Sequence, residues 1–285
     1  MAQLGGLLRR VGLWRRTPPP WRAGYVVAKD PPGAAPWRRA LAATGDPAAA
    51  DALAHAWDTL TPRERAAVWD PVTELGRDAR QATGRTCGPA VLTMLAAQGD
   101  PLLALWLASG RLLTTQRPPE LAGAPDDVLR RLRQASARTR FAAVHRVVHR
   151  RATRHAVAGL PWPEALGTPP WALARSARYL GVLFTHAVLD DSDPAALDAA
   201  LARVGAAVEA GIPVPLLTGG DTSRGWRTAV PRHVVLAVAE REGGLDLWEP
   251  GRGAVVHADA VALRAGAAHP AFGSWPHLTW AVLPR

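Results

Sequence analysis

The sequence predicts an α+β fold, and three observations predict it. Helical patterns fill roughly the first two thirds of the chain. Short β-rich runs, separated by Gly and Pro, crowd the last third. No fixed-period repeat links the two. Segregated helices and strands, without strict alternation, argue for helices packed on a mostly antiparallel sheet.

The elements follow in order. Residues 1–36 are rich in Arg, Pro and Trp, a composition that resists regular structure. Trp14, Trp21, Tyr25 and Trp37 are costly to leave in water, so an irregular arm packed on the body is expected. Asp46-Pro47 starts a helix to about Leu60. Thr61-Pro62-Arg63-Glu64 has the capping-box pattern, and its helix stops near Asp70-Pro71. A helix from Cys87 to about Ala97 is broken by Gly99-Asp100-Pro101, and LLALWLAS then runs to Gly110. One long basic helix is predicted from about Asp126 to His155. Thr168 reads as the cap of a helix that ends before Gly181. After the strand VLFTHAVL, Asp193-Pro194 opens an amphipathic helix through Glu209, closed by Gly211. IPVPLLT reads as an edge strand or strand start because of its prolines. HVVLAVAE (233–240) and LDLWEP (245–250) flank a turn with Gly243-Gly244, and GAVVHA and HLTWAVL complete the strands.

Composition sets bounds. The 285 residues are 48% hydrophobic and 20% charged, which is enough material for a core. The net charge of +10 is nearly all arginine. Beside abundant Ala, Pro and Gly it reads as coding bias and a solvated surface, so a nucleic-acid partner is not expected. No run approaches 18 apolar residues, so no membrane span is predicted. The N-terminal stretch lacks the continuous apolar run of a secretory signal. With a single cysteine, this points to the cytoplasm. His145 and His149 stand at i, i+4, a spacing zinc uses. No acid lies between them, no third ligand is evident, and arginines surround them. A solvated or partly packed face is the reading; no metal and no cofactor is expected.

Chemistry concentrates at Gln81–Met94. Thr86-Cys87-Gly88-Pro89 precedes an apolar helical pattern, and Pro89 suits a first turn. A cysteine at a helix N-terminus is biased toward thiolate. Alone, a cysteine is more often an inert packing residue. Its weight rises with a His–acid pair. His233 opens one predicted strand and Glu249 closes the next, sixteen residues on. A hairpin folded about Arg241 sets them opposite each other, on one face in a bulge-free register. A carboxylate facing a histidine fixes its tautomer, leaving the other ring nitrogen for a thiolate. His233 could instead simply cap a strand, and Glu249 could be a surface residue. His257, His269 and His277 lie outside such a hairpin, and Asp246 sits away from His233 in that register. The amide of Gln81, six residues before Cys87, could donate to an oxyanion.

With these residues in place, the chain resembles the papain-like cysteine peptidases. It is most similar to the bacterial branch holding the double-glycine (bacteriocin-leader) peptidases. The resemblance runs from Gln81 to about Leu283. It rests on Gln81 before Cys87, on Cys-Gly-Pro-Ala, on Gly211-Ile212-Pro213-Val214-Pro215, and on His233 before Glu249-Pro250-Gly251. It implies Cys87 as nucleophile, His233 as base and Gln81 as oxyanion donor. The family usually has Asp-Pro or Asn where this chain has Glu249-Pro250. The implied fold places the nucleophile at a helix N-terminus against an antiparallel sheet. Residues 1–77 fall outside the resemblance as an arm and helical appendage. Residues 78–285 form the peptidase-like domain, with a helical insertion at about 111–160. The expected activity is hydrolysis of an amide in a peptide or protein substrate, through a Cys–His–Glu triad. The alternatives are an inactive papain-like domain that binds a peptide or protein, and a Cys–His acyltransferase.

Overall fold

In the computed structural model the structure describes residues 35–154, 160–163, 167–220 and 231–285. The predicted arm lies almost wholly outside these residues. Ten α-helices and six strands occur among them. The sheet is open and antiparallel, in the order β1-β6-β2-β3-β4-β5.

The first helices are α1 (Pro36–Thr44), α2 (Pro47–Ala56), α3 (Pro62–Trp69) and α4 (Pro71–Leu75). Asp46 caps α2 by accepting from the Ala48 N–H. Thr61 and Glu64 form the reciprocal capping box that opens α3. Ala40, Leu53, Leu60 and Val68 close over Leu102 and Leu105 in a small core of their own. Those two leucines belong to α6 (Pro101–Ser109), which follows α5 (Cys87–Gly99). The Asp100 side chain caps α6 at the Leu102 and Leu103 N–H groups, and Gly110 ends it with φ +80°.

Helices α5 and α6 together are apolar, but they bend by 116° and their residues are largely buried. No single helix among the described residues is long and apolar enough to cross a membrane.

The long basic helix is two: α7 (Asp126–Arg133) and α8 (Ala137–Arg154). Ser136 caps α8 at the Thr139 N–H. The buried Arg140 explains the break. Its guanidinium donates to Leu107 O (2.9 Å) and Ala108 O (2.6 Å), at the end of α6, and also to Ala135 O. His145 and His149 are buried, not solvated. His145 sits edge-on to Phe141. Burial, with Arg146 and His149 nearby, pushes it down to about 4. No group of three metal-ligating side chains occurs among the described residues.

Helix α9 (Pro170–Ser176) follows. Thr168 does not cap it: Pro169 is the cap residue and no side chain satisfies the end. Strand β1 (Phe184–Val188) leads to α10 (Pro194–Glu209), capped by Asp193. Strands β2 (Val214–Gly219), β3 (His233–Arg241), β4 (Gly244–Glu249), β5 (Ala254–Ala258) and β6 (His277–Pro284) complete the sheet.

Strand β2 is central, not an edge: it pairs with β3 and β6. Pro215 is tolerated because pairing with β6 begins only at Leu216. Both faces of the sheet are covered. Val234, Leu236 and Trp248 join the core with α5 and α8. Val235, Ala237 and Leu247 face the other way, into a core with Leu197, Leu201 and Val204 of α10. Period-two alternation along β3 thus feeds two cores.

Candidate active site

Residues 82–86, before α5, fold around one hydroxyl. Thr86 Oγ1 accepts from the N–H groups of Ala82 and Thr83, both at 3.1 Å, and donates to Thr83 O at 3.0 Å. This delivers Cys87 as the first residue of α5. Pro89 has no N–H to lose, and the Cys87 N–H is among the first-turn groups that lack an intrahelical acceptor. Gly88 lets α5 approach Thr168: a Cβ there would lie 3.0 Å from Thr168 Cβ.

His233 is the first residue of β3, at the end of the sheet, and is 7% exposed. Its ring meets the Glu249 carboxylate and borders one hollow with Cys87, and both neighbours favour its charged form. Nε2 lies 2.7 Å from Glu249 Oε1, so the acid engages one ring nitrogen and Nδ1 is the other. Gly273 closes the ring from another side. It has φ +66°, and a Cβ there would sit 2.3 Å from His233 Cδ2.

Glu249 is 3% exposed, and both its oxygens are occupied. Oε1 accepts from the Gly251 N–H at 2.8 Å as well as meeting His233. Oε2 accepts from the Arg252 N–H at 2.7 Å. Burial pulls Glu249 upward, but the bonds from His233, Gly251 and Arg252 outweigh it and hold the carboxyl below its ordinary range. Burial likewise opposes charge on His233. The interactions with Cys87 and with the Glu249 carboxylate win and push the ring up to about 9. At neutral pH the imidazolium is the favoured form.

The hairpin register differs from the one the sequence suggested. The turn residues are Glu242 and Gly243, both with positive φ, and Arg241 pairs with Gly244. Beyond a one-residue slip at Val238, Leu236 pairs with Trp248. Continued, this sets Glu249 opposite Val235, two residues from His233 and on the same face. The longer side chain of Glu covers that offset.

Gln81 comes to the acid side of the site. Its N–H donates to Pro250 O at 2.8 Å. Its side chain lines a hollow of about 340 Å³ with His233, Glu249 and Trp275. Its Oε1 is buried with no partner among the described residues. Cys87 borders a narrower hollow of about 40 Å³ with Thr168, Arg232 and His233. A larger groove of about 620 Å³ lies at the other end of α5, beside Gln98, and is lined by neither Cys87 nor His233.

The remaining histidines of the strand region are engaged elsewhere. His257 Nδ1 meets Asp246 at 2.9 Å, His277 Nδ1 meets Asp191 at 2.9 Å, and His269 accepts from the Ala271 N–H. Sequence reasoning did not find Gly273, Thr168 or Arg232 as neighbours of the site. The φ-demanding FGSW turn marks Gly273 as a turn glycine, but nothing local says that it meets His233. No protein-family model, no curated protein and no solved structure matches this chain.

Proposed function

We propose that the protein is a cysteine-dependent hydrolase of amide bonds, acting on a peptide or protein. One observation carries the reading: His233 shares a hollow with Cys87 and is held from its other nitrogen by the buried Glu249 carboxylate. A nucleophile at a helix N-terminus, a base within hydrogen-bond reach and a carboxylate holding the base are the parts such chemistry needs.

In this mechanism the Cys87 thiolate attacks the carbonyl carbon, forming a C–S bond and an oxyanion. The Cys87 N–H and the Gln81 amide stabilise the oxyanion. The His233 imidazolium gives its Nδ1 proton to the amine nitrogen as the C–N bond breaks, leaving a thioester. His233, now neutral, takes a proton from water, and the hydroxide attacks the acyl carbon. The C–S bond then breaks, restoring the thiolate and releasing a carboxylic acid, which gives its proton to water. Glu249 keeps its proton count and holds the ring.

The test is incubation with a mixed peptide library and mass spectrometry of new termini. Cleavage by the native protein and none by Cys87→Ala is expected. Equal cleavage by Cys87→Ala would overturn the reading. So would alkylation of Cys87 by iodoacetamide at the rate of a free cysteine.

A further inference from the structure

Elsewhere on the molecule many arginines have acidic partners: Arg63 with Glu74, Arg131 with Asp127, Arg264 with Asp198. The cleft is different. Arg85 and Arg232 border the hollow at Cys87, and Arg232 and Arg252 border the hollow at Glu249. All three are exposed. Among the described residues the only carboxylate lining either hollow is Glu249, and its oxygens are taken by His233 and two backbone N–H groups. Arg252 keeps a loose contact with it, Nε at 3.9 Å from Oε2. No side-chain hydrogen bond or ion pair joins Arg85 or Arg232 to a described residue. Arg80, the next arginine, is already committed, donating twice to Gly251 O.

We infer that this cleft selects substrates carrying a carboxylate beside the scissile amide, with Arg232 as the principal recognition residue. The inference rests on the thiol-hydrolase reading. Arg232 directly precedes His233 and borders both hollows, so it stands beside the reacting carbonyl whichever way the chain enters. A guanidinium matches a carboxylate with two parallel N–H donors. Arg85 and Arg252 add same-sign field on either side, and a cleft lined by one sign of charge concentrates ions of the other.

Two small alkylating reagents, one charged and one neutral, test this without an identified substrate. The second-order rates of Cys87 alkylation by iodoacetate and by iodoacetamide are measured on the full chain at pH 7, with glutathione as reference. The iodoacetate-to-iodoacetamide ratio is expected to exceed that of glutathione by about tenfold, the low end for charge-lined clefts. It should fall several-fold in Arg232→Gln, and also in the native protein at about 0.5 M salt, where screening is strong. Arg85→Gln, expected to lower the ratio less, serves if Arg232→Gln does not fold by circular dichroism. Fast iodoacetamide alkylation with a glutathione-like ratio overturns the carboxylate inference alone, as does a ratio that neither arginine variant changes. Slow alkylation by both reagents overturns the hydrolase reading itself. Once a cleaved peptide is known, Glu-against-Gln and free-against-amidated C-terminal versions tell a side-chain carboxylate from a terminal one. Equal rates for all four overturn the inference.

Discussion

The carboxylate of Glu249 lies 2.7 Å from His233 Nε2, although the two residues are not opposite each other in the ladder. Val238, unpaired in β3, makes this possible. The register at the turn, carried on without a slip, would set Glu249 opposite Leu236 and turn it to the other face of the sheet. One extra residue in β3 returns it to the face of His233.

If Glu249 holds the ring as this geometry implies, Glu249→Gln keeps an acceptor but loses the charge. Peptide cleavage should fall by about 10²–10⁴-fold, comparable with the loss of the orienting carboxylate in serine-type triads. Glu249→Ala also strands the Gly251 and Arg252 N–H groups. It should destabilise the fold by about 1–3 kcal/mol, read by denaturant unfolding. Full cleavage by Glu249→Gln would remove the carboxylate from the mechanism.

Cys87→Ala should lower cleavage by about 10⁴-fold or more, since Cys87 is the one cysteine in the sequence. Cys87 is 5% exposed and, with Glu249, favours the charged form of His233, so the variant also removes one of the two supports of the imidazolium. The His233 ring should then titrate at lower pH than in the native protein. An NMR titration of the ring protons would read this directly.

The pH dependence follows from His233. Its folded value, about 9, lies above the ordinary 6.5. Its contribution to stability is therefore whole below about pH 6.5 and is lost as pH rises through about 9. Glu249 is shifted the other way, so its contribution is present above about pH 4.5 and fades as pH falls through its folded value. Unfolding free energies measured from pH 4 to 10 should thus decline at both ends. The upper decline should be missing in His233→Gln. Cleavage should fall above about pH 9, because a neutral ring has no proton for the leaving amine.

Gly273 should tolerate no side chain. Gly273→Ala requires a left-handed backbone and drives Cβ to within 2.3 Å of the His233 ring. The ring must move, and misplacement by about 1 Å suffices for about 10²-fold in rate. The expected pattern is a large loss of cleavage with the far-ultraviolet circular dichroism spectrum retained. Native cleavage rates in this variant would mean that Gly273 does not position the ring.

Arg178 is a structural counterpart, remote from the chemistry. Its guanidinium bonds the fully buried Asp100 at 2.9 Å and Glu120 at 2.7 Å, joining the start of α6 to the turn at 119–121. Arg178→Ala leaves two buried carboxylates unpaired and should cost about 3–5 kcal/mol in an unfolding experiment.

Local chemistry in the chain determined a good part of this molecule. Asp46, Thr61 with Glu64, Asp100 and Asp193 sit before their helices and cap them, because a cap needs only a side-chain oxygen and the next few N–H groups. The α+β segregation and the placement of Cys87 at a helix start are equally local, being matters of periodicity and of Pro89. Tertiary structure decided the rest. Whether β2 is central depends on which strands reach it, and β6 arrives from some sixty residues away. Whether His145 is solvated depends on what packs on α8. The partner of His233 depends on a one-residue slip at Val238 that no local pattern encodes. Gly273 and Arg232 acquire meaning only once chain folding sets them against the ring. Short-range hydrogen bonding is written into neighbouring residues, whereas strand register and the meeting of distant side chains are settled by the packing of the whole core.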